Sequence, residues 1–288
     1  MTKCLRRVAI FVWLLVSLTP TTRGTETGDE HLVMGNPSSA TTDINNTTNY
    51  LMRKIEYVLS YNKDTACPNW VSWHLNASWL GSTDRLNNFR PDSDLPNGWL
   101  RVKPNDYSGT GFDQGHMCNS KDRSKDKPSN SATFLMTNMV PQSPRNNEVT
   151  WKGLEAFCQT LAKDHELYIV CGPAGRGGEG YIKKTKKLVN ANELEADRND
   201  GTSETINVPA ETWKVVMVLP AGKESPHDVS ADTTTIAVIM PNNQTIDTDW
   251  KAYTKTVNDV ETLTGYHFFT TVDPQVAKEI KSHTFQGP

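Results

Sequence analysis

The stretch Gly111-Phe112-Asp113-Gln114-Gly115-His116-Met117 is followed by Pro141-Gln142 and then by Asn147, Trp151, Leu154 and Glu155. These residue types can assemble a centre for attack of water on a phosphorus atom. Such chemistry needs a neutral imidazole to accept a proton from water, and His116 supplies one. It also needs a hard cation, held through oxygen, to offset the charge that builds on the phosphate. The side-chain carbonyl of Asn147 is a suitable holder, because a small ion such as Mg2+ keeps several of its waters and asks for few protein ligands. Glu155 is then the carboxylate that orients those waters. Asp113 is expected to order the site through hydrogen bonds rather than by touching the cation, and Gly115 permits close backbone approach beside His116.

These side chains must be held by regular elements. Trp151, Leu154, Phe157, Cys158 and Leu161 recur at helical spacing and predict a helix from about Glu148 to Lys163. Asn147 then stands at its start, where asparagine also serves as an N-cap, and adjacent Asn146 leaves the ligand uncertain by one residue. On an ideal helix Glu155 lies about 80° around and roughly 12 Å along from Asn147, so the two meet only if Asn147 folds inward. The runs Trp70 to Leu75, Leu167 to Cys171, Trp213 to Leu219 and Thr235 to Ile239 predict strands of a sheet covered on both faces. Helices are predicted from Asn258 (as cap) to Thr264, stopped by Gly265, and from Pro274 to Lys281. The polar segment Gly175 to Asp200 reads as a loop, and its Lys183 to Lys187 run is either a solvated charged hairpin or a phosphate-contacting arm. This order of elements implies an α+β fold with one catalytic domain, residues 49–288.

The chain has 288 residues, enough for a substantial core. Lys3, Arg6 and Arg7, the apolar run Val8 to Val16 and small residues through Gly24 have the layout of a secretory signal peptide, residues 1–24. An exposed segment, residues 25–48, would follow. The protein is thus expected to be secreted, extracellular or, if bacterial, periplasmic. Loss of residues 1–24 removes four of the 30 basic residues and no acid, leaving about 26 basic against 33 acidic residues. Bulk charge therefore does not attract a polyanion, and any binding must rest on a local patch and a bound cation. Cys67, Cys118, Cys158 and Cys171 remain after Cys4 is removed, an even number that favours two disulfides in an exported chain over buried free thiols.

From His31 to His283 the sequence resembles the DNA/RNA non-specific endonucleases with a ββα-metal (His-Me finger) core. The match includes His31-Leu32-Val33-Met34-Gly35-Asn36-Pro37, Asn69-Trp70-Val71-Ser72-Trp73, Asn88-Phe89-Arg90-Pro91-Asp92 and Ala132-Thr133-Phe134-Leu135-Met136-Thr137-Asn138, besides the site. It is nearest the secreted bacterial branch and extends to mitochondrial endonuclease G. The resemblance implies a central, mainly antiparallel sheet flanked by helices, with DNA and RNA as substrates and Mg2+, Mn2+ or another divalent cation as cofactor. It also implies His116 as general base, Asn147 as metal ligand and Arg85 as a phosphate-holding arginine, with 5′-phosphate products. The usual Asp-Arg-Gly-His signature has Gln114 in place of its arginine, and a second family arginine falls on Gln159. Both glutamines are expected to face nucleic acid as neutral donors. Two rival readings are a nucleic-acid-binding homologue with weak or no catalysis and a phosphodiesterase for another secreted substrate.

Overall fold

The computed structural model describes Met1, residues 28–198 and residues 202–287. The signal-peptide reading lies, Met1 apart, outside the described residues. In chain order the strands are Tyr50–Arg53 (β1), Val58–Asn62 (β2), Cys67–Leu75 (β3), Asp113–His116 (β4), Met139–Gln142 (β5), His165–Ala174 (β6), Gly178–Ile182 (β7), Lys187–Ala191 (β8), Glu193–Asp197 (β9), Ser203–Asn207 (β10), Glu211–Pro220 (β11), Thr234–Pro241 (β12) and Thr254–Lys255 (β13). The α-helices are Lys127–Ala132 (α1), Lys152–Leu161 (α2), Val257–Thr264 (α3) and Pro274–Ile280 (α4).

Seven strands form one sheet in the order β1-β2-β3-β6-β11-β12-β13, with every neighbouring pair antiparallel. Its central strands are apolar on both faces because both faces are covered. Along β11, Trp213, Val215, Met217 and Leu219 enter one core, while Val216 enters the other. The period of two places Lys214 on the same side as Val216. On that side lie the β4–β5 hairpin and α2; on the opposite, outer side lie α3, α4 and the segment from Gly28 to Thr48. That segment was expected to be exposed. Instead His31, Met34 and Ala40 are buried, and Trp70 Nε1 donates to Ser38 Oγ at 2.8 Å. Its polar composition reflects hydrogen bonding onto β3, not freedom from the fold.

Three local readings need correction. The helix expected from Glu148 opens instead as a π-helical turn, Asn146–Trp151, which runs directly into α2. Helix α3 is capped by Thr256, whose hydroxyl accepts from Asp259 N–H in a capping box, so Asn258 is not the cap. Gly265 does end it, in the left-handed conformation. Gly175 to Asp200 is not a loop throughout: β7 pairs with β8 as a hairpin with the lysine run at its turn, which agrees with the charged-hairpin reading, and β9 pairs with β10. All four cysteines beyond Cys4 are buried free thiols, so the two expected disulfides do not form. Each occupies an apolar core position, which an even count does not disclose.

Candidate active site

Strand β4 carries His116 at its end, opposite Met139 of β5. Gly115 is required there: a Cβ would come within 2.2 Å of Gln142 Oε1 and 2.6 Å of Gln142 Cβ. With the π-helical turn and α2, this hairpin forms a ββα unit beside a cleft of about 970 Å³. The cleft brings together all seven residues singled out in the sequence: Arg85, Asp113, Gln114, His116, Asn147, Glu155 and Gln159.

His116 is 6% exposed and packs edge-on against Phe134 and Phe89, with ring centroids 4.9 and 5.4 Å away. Burial pushes its pKa well below the usual histidine value, and nearby Arg85 adds to this, so the ring is neutral at physiological pH. Its hydrogen bond to the backbone of Gln114 opposes the shift. Nε2 is buried and has no hydrogen-bond partner, so that bond belongs to Nδ1 and fixes the tautomer with a lone pair on Nε2. Sequence alone did not reveal this second-nitrogen partner.

Asn147 and Asn146, indistinguishable by spacing, have different environments. Asn146 is fully buried: its Nδ2 donates to Thr212 Oγ1 and Pro241 O, each at 3.1 Å, and its Oδ1 accepts from Gln142 Nε2 at 2.9 Å. Asn147 is half-buried and lines the cleft, its Nδ2 donating to Asp113 Oδ2 at 2.9 Å. That bond engages the amide nitrogen and leaves the carbonyl oxygen as the group available to a cation. Asn147 is not an N-cap, because its own N–H donates to Ser143 O at 2.8 Å inside the helical turn. Desolvation raises the pKa of Asp113, partly countered by Asn147.

Glu155 is 6% exposed, and burial lifts its carboxyl from 4.5 to about 7; Lys214 opposes the shift and Asp122 adds to it. These two were not anticipated. Lys214 is buried, with Nζ 4.1 Å from the centre of the Trp151 ring, and Asp122 is buried and accepts from Trp73 Nε1 at 3.1 Å. Arg123 is also fully buried, donating to the carbonyls of Glu56, Asp122 and His74 while lying 4.1 Å over Trp79. It ties the loop after β4 to the sheet. Charged residues are normally exposed, so composition gives no warning of such groups.

Arg85 donates from Nε to Asn87 Oδ1 at 2.7 Å and from NH1 to Ser120 Oγ at 2.9 Å, with its guanidinium 4.9 Å over Phe134, a ring neighbour of His116. The two glutamines are engaged elsewhere. Gln114 Nε2 donates to Pro104 O at 3.1 Å, and Gln159 Nε2 donates to Asp122 Oδ1 at 2.9 Å. Both line the cleft, and each keeps a second amide N–H beyond the one engaged here. Among the described residues, His74, Glu166 and Glu224 form the one histidine and carboxylate group close enough to share an ion, and none of them lines this cleft.

Comparison with known proteins gives a consistent result. Residues 35–275 match the family model of the DNA/RNA non-specific endonucleases. A nuclease of Nostoc sp. is 44% identical over 253 residues, covering 88% of this chain and 85% of that one. Nuclease C1 of Cunninghamella echinulata is 30% identical over 233 residues, covering 77% and 83%. Among solved structures, EndoG from its complex with EndoGI superposes with a TM-score of 0.67 at 23% identity, over 88% of this chain and 95% of that one. It shares the ββα-metal fold.

Proposed function

The chain belongs to the DNA/RNA non-specific endonuclease family and is a phosphodiester hydrolase of that kind, and we propose that it is a secreted, Mg2+-dependent enzyme indifferent to sugar and base. Its family is divalent-metal-dependent, and the cleft suits such an ion: a neutral carbonyl oxygen on Asn147 and a buried carboxylate on Glu155 are hard oxygen donors, and no thiolate lines the site. Asn147 would hold the ion and Glu155 would order its water shell. When bound, Mg2+ offsets charge on the phosphate and on the departing 3′ oxygen.

The observation that carries the reading is the unpartnered, buried Nε2 of a neutral His116 in a cleft that also holds Arg85 and Asn147. In this reading Nε2 accepts the proton of the attacking water while Nδ1–H stays on the Gln114 carbonyl. Arg85 binds the scissile phosphate or its neighbour with a planar, permanently charged guanidinium. Asp113 orients Asn147. Recognition through the phosphodiester backbone explains indifference to sequence and sugar, and the products carry a 5′-phosphate and a 3′-hydroxyl. Export is supported by the basic and apolar start of the sequence; among the described residues no helix is long and apolar enough to cross a membrane.

The test is digestion of plasmid DNA and of RNA, with and without EDTA, by the wild type and by folded His116→Ala. We expect EDTA to abolish breakdown of both substrates and His116→Ala to lower the rate by about 10² to 10⁴. Near wild-type turnover in the folded variant would remove His116 from the mechanism.

A further inference from the structure

The cleft is lined by three acids, Asp113, Glu148 and Glu155, and by three cations, of which sequence reasoning identified Arg85 alone. The others are Lys121 and Lys152. Glu148 is offset by Lys183, whose Nζ lies 2.6 Å from its Oε1, so the lysine-rich turn between β7 and β8 has its leading charge committed. The two glutamines carry no charge, and each has one amide N–H engaged. Lys152, by contrast, is exposed and makes no ion pair among the described residues, and the hydrogen bond found for the Lys121 ammonium is a long one, 3.4 Å, to Gly81 O.

The positions of these lysines are specific. On α2, Lys152, Glu155, Ala156 and Gln159 all line the cleft, spaced by three or four residues as one helix face requires. Lys152 therefore stands one turn before Glu155, about 4.5 Å along the axis, whereas Gln159 stands one turn after it. Lys121 follows Ser120, whose hydroxyl accepts from Arg85, and lines the same cleft as that arginine. The two lysines come from different elements and flank the residues assigned to the reacting phosphate.

We infer that Lys152 and Lys121 are phosphate-binding residues that carry the charge neutralisation Gln114 and Gln159 do not provide, each contacting a phosphate next to the one being cut. The inference rests on the nuclease reading, but its test does not require turnover. Binding of a duplex oligonucleotide to the full chain is measured in EDTA over a series of salt concentrations. Each phosphate contact contributes about 0.9 to the slope of log Kobs against log salt on duplex DNA, and about 0.7 on a single strand. Lys152→Ala and Lys121→Ala should each flatten the slope by about that amount and the double variant by about twice as much. Lys152→Arg should keep the wild-type slope, as should Lys184→Ala, which removes an exposed charge outside the cleft. A wild-type slope in either single alanine variant, or equal flattening by Lys184→Ala, overturns the assignment. Plasmid digestion judges the nuclease reading separately.

Discussion

The two faces of the central sheet treat buried polarity in opposite ways. On the outer face Trp70, Trp213, Val215, Met217 and Phe268 pack with helices α3 and α4, and titratable groups there are closed off by partners. His74 Nε2 lies 2.7 Å from Glu166 Oε2, Gly222 N–H donates to Glu166 Oε1 at 3.0 Å, and Lys281 meets Glu261 at 2.8 Å. On the cleft face His116 Nε2, Gln142 Oε1 and Trp151 Nε1 are buried without a hydrogen-bond partner, and the carboxyls of Asp122 and Glu155 are shifted upward by desolvation. A buried unsatisfied polar group costs about 1–3 kcal/mol. This side of the sheet thus gives up stability, and of the three atoms His116 Nε2 belongs to a residue that lines the cleft, where it is an acceptor for substrate; the outer face supplies packing that offsets the loss.

If the faces divide the work in this way, damage to the outer face should change stability without changing chemistry. Trp213 is fully buried, donates from Nε1 to Pro173 O at 3.1 Å and meets the Phe268 ring edge-on at 5.5 Å. Trp213→Ala is expected to cost about 3–5 kcal/mol in urea unfolding, the largest effect anticipated here. The activity of the molecules that remain folded, and its dependence on Mg2+, should stay within about twofold of wild type, since Trp213 does not line the cleft and its loss opens a cavity on the opposite side of the sheet. A shifted Mg2+ midpoint in folded Trp213→Ala would show that the faces are coupled through β11 and would break the comparison.

The asparagine pair sharpens the same contrast within a single turn. Asn146 makes three buried hydrogen bonds, so Asn146→Ala should destabilise the protein by about 1–3 kcal/mol per group left unpaired. Asn147 has one, to Asp113, and its removal should barely move the unfolding midpoint while raising the Mg2+ concentration needed for half-maximal activity. Urea unfolding and Mg2+ titration of both variants decide the matter. An equal rise in the Mg2+ requirement from both would mean that the ligand has been placed on the wrong residue.

What could be read in advance follows the same division. The strands at Trp70 to Leu75 and Trp213 to Leu219 were legible because covering both faces of the sheet demands apolar runs, and those runs are in the sequence. All seven candidate site residues reach one cleft because each is tied to a motif with a fixed spacing. What escaped was set by partners distant in the chain: the Gln114 amide goes to Pro104, the Gln159 amide to Asp122, and Lys214 lies beneath Trp151. The π-helical turn was missed because apolar periodicity continues through it; the β7–β8 hairpin was one of two readings of the lysine run, whereas β9 carries too little apolar signal to stand out. The disulfide expectation came from counting cysteines, which says nothing about whether two of them meet.

The smallest expected effect concerns the Glu155 carboxyl and depends on pH. Its folded pKa is about 7, against 4.5 ordinarily, so between these values the folded protein holds a proton that the unfolded chain has released. Stability from this group is therefore greatest at low pH and is lost as pH rises through 7. Since one pKa unit is worth about 1.4 kcal/mol, the metal-free wild type should lose on the order of 1 kcal/mol from this source between pH 6 and 8. His31 and His116 act in the opposite direction: their folded pKa values are depressed, so they favour the folded state above the usual histidine range and disfavour it as pH falls. Both histidines remain in Glu155→Gln, so they cancel in the difference between the two proteins. Glu155→Gln should accordingly become more stable relative to wild type as pH rises from 6 to 8 in EDTA, and saturating Mg2+ should reduce that difference, because a bound cation favours the ionised carboxylate of the wild type. A difference that stays constant across this range would mean that Glu155 is not strained by burial, and that the cleft face holds its carboxylates as comfortably as the outer face holds Glu166.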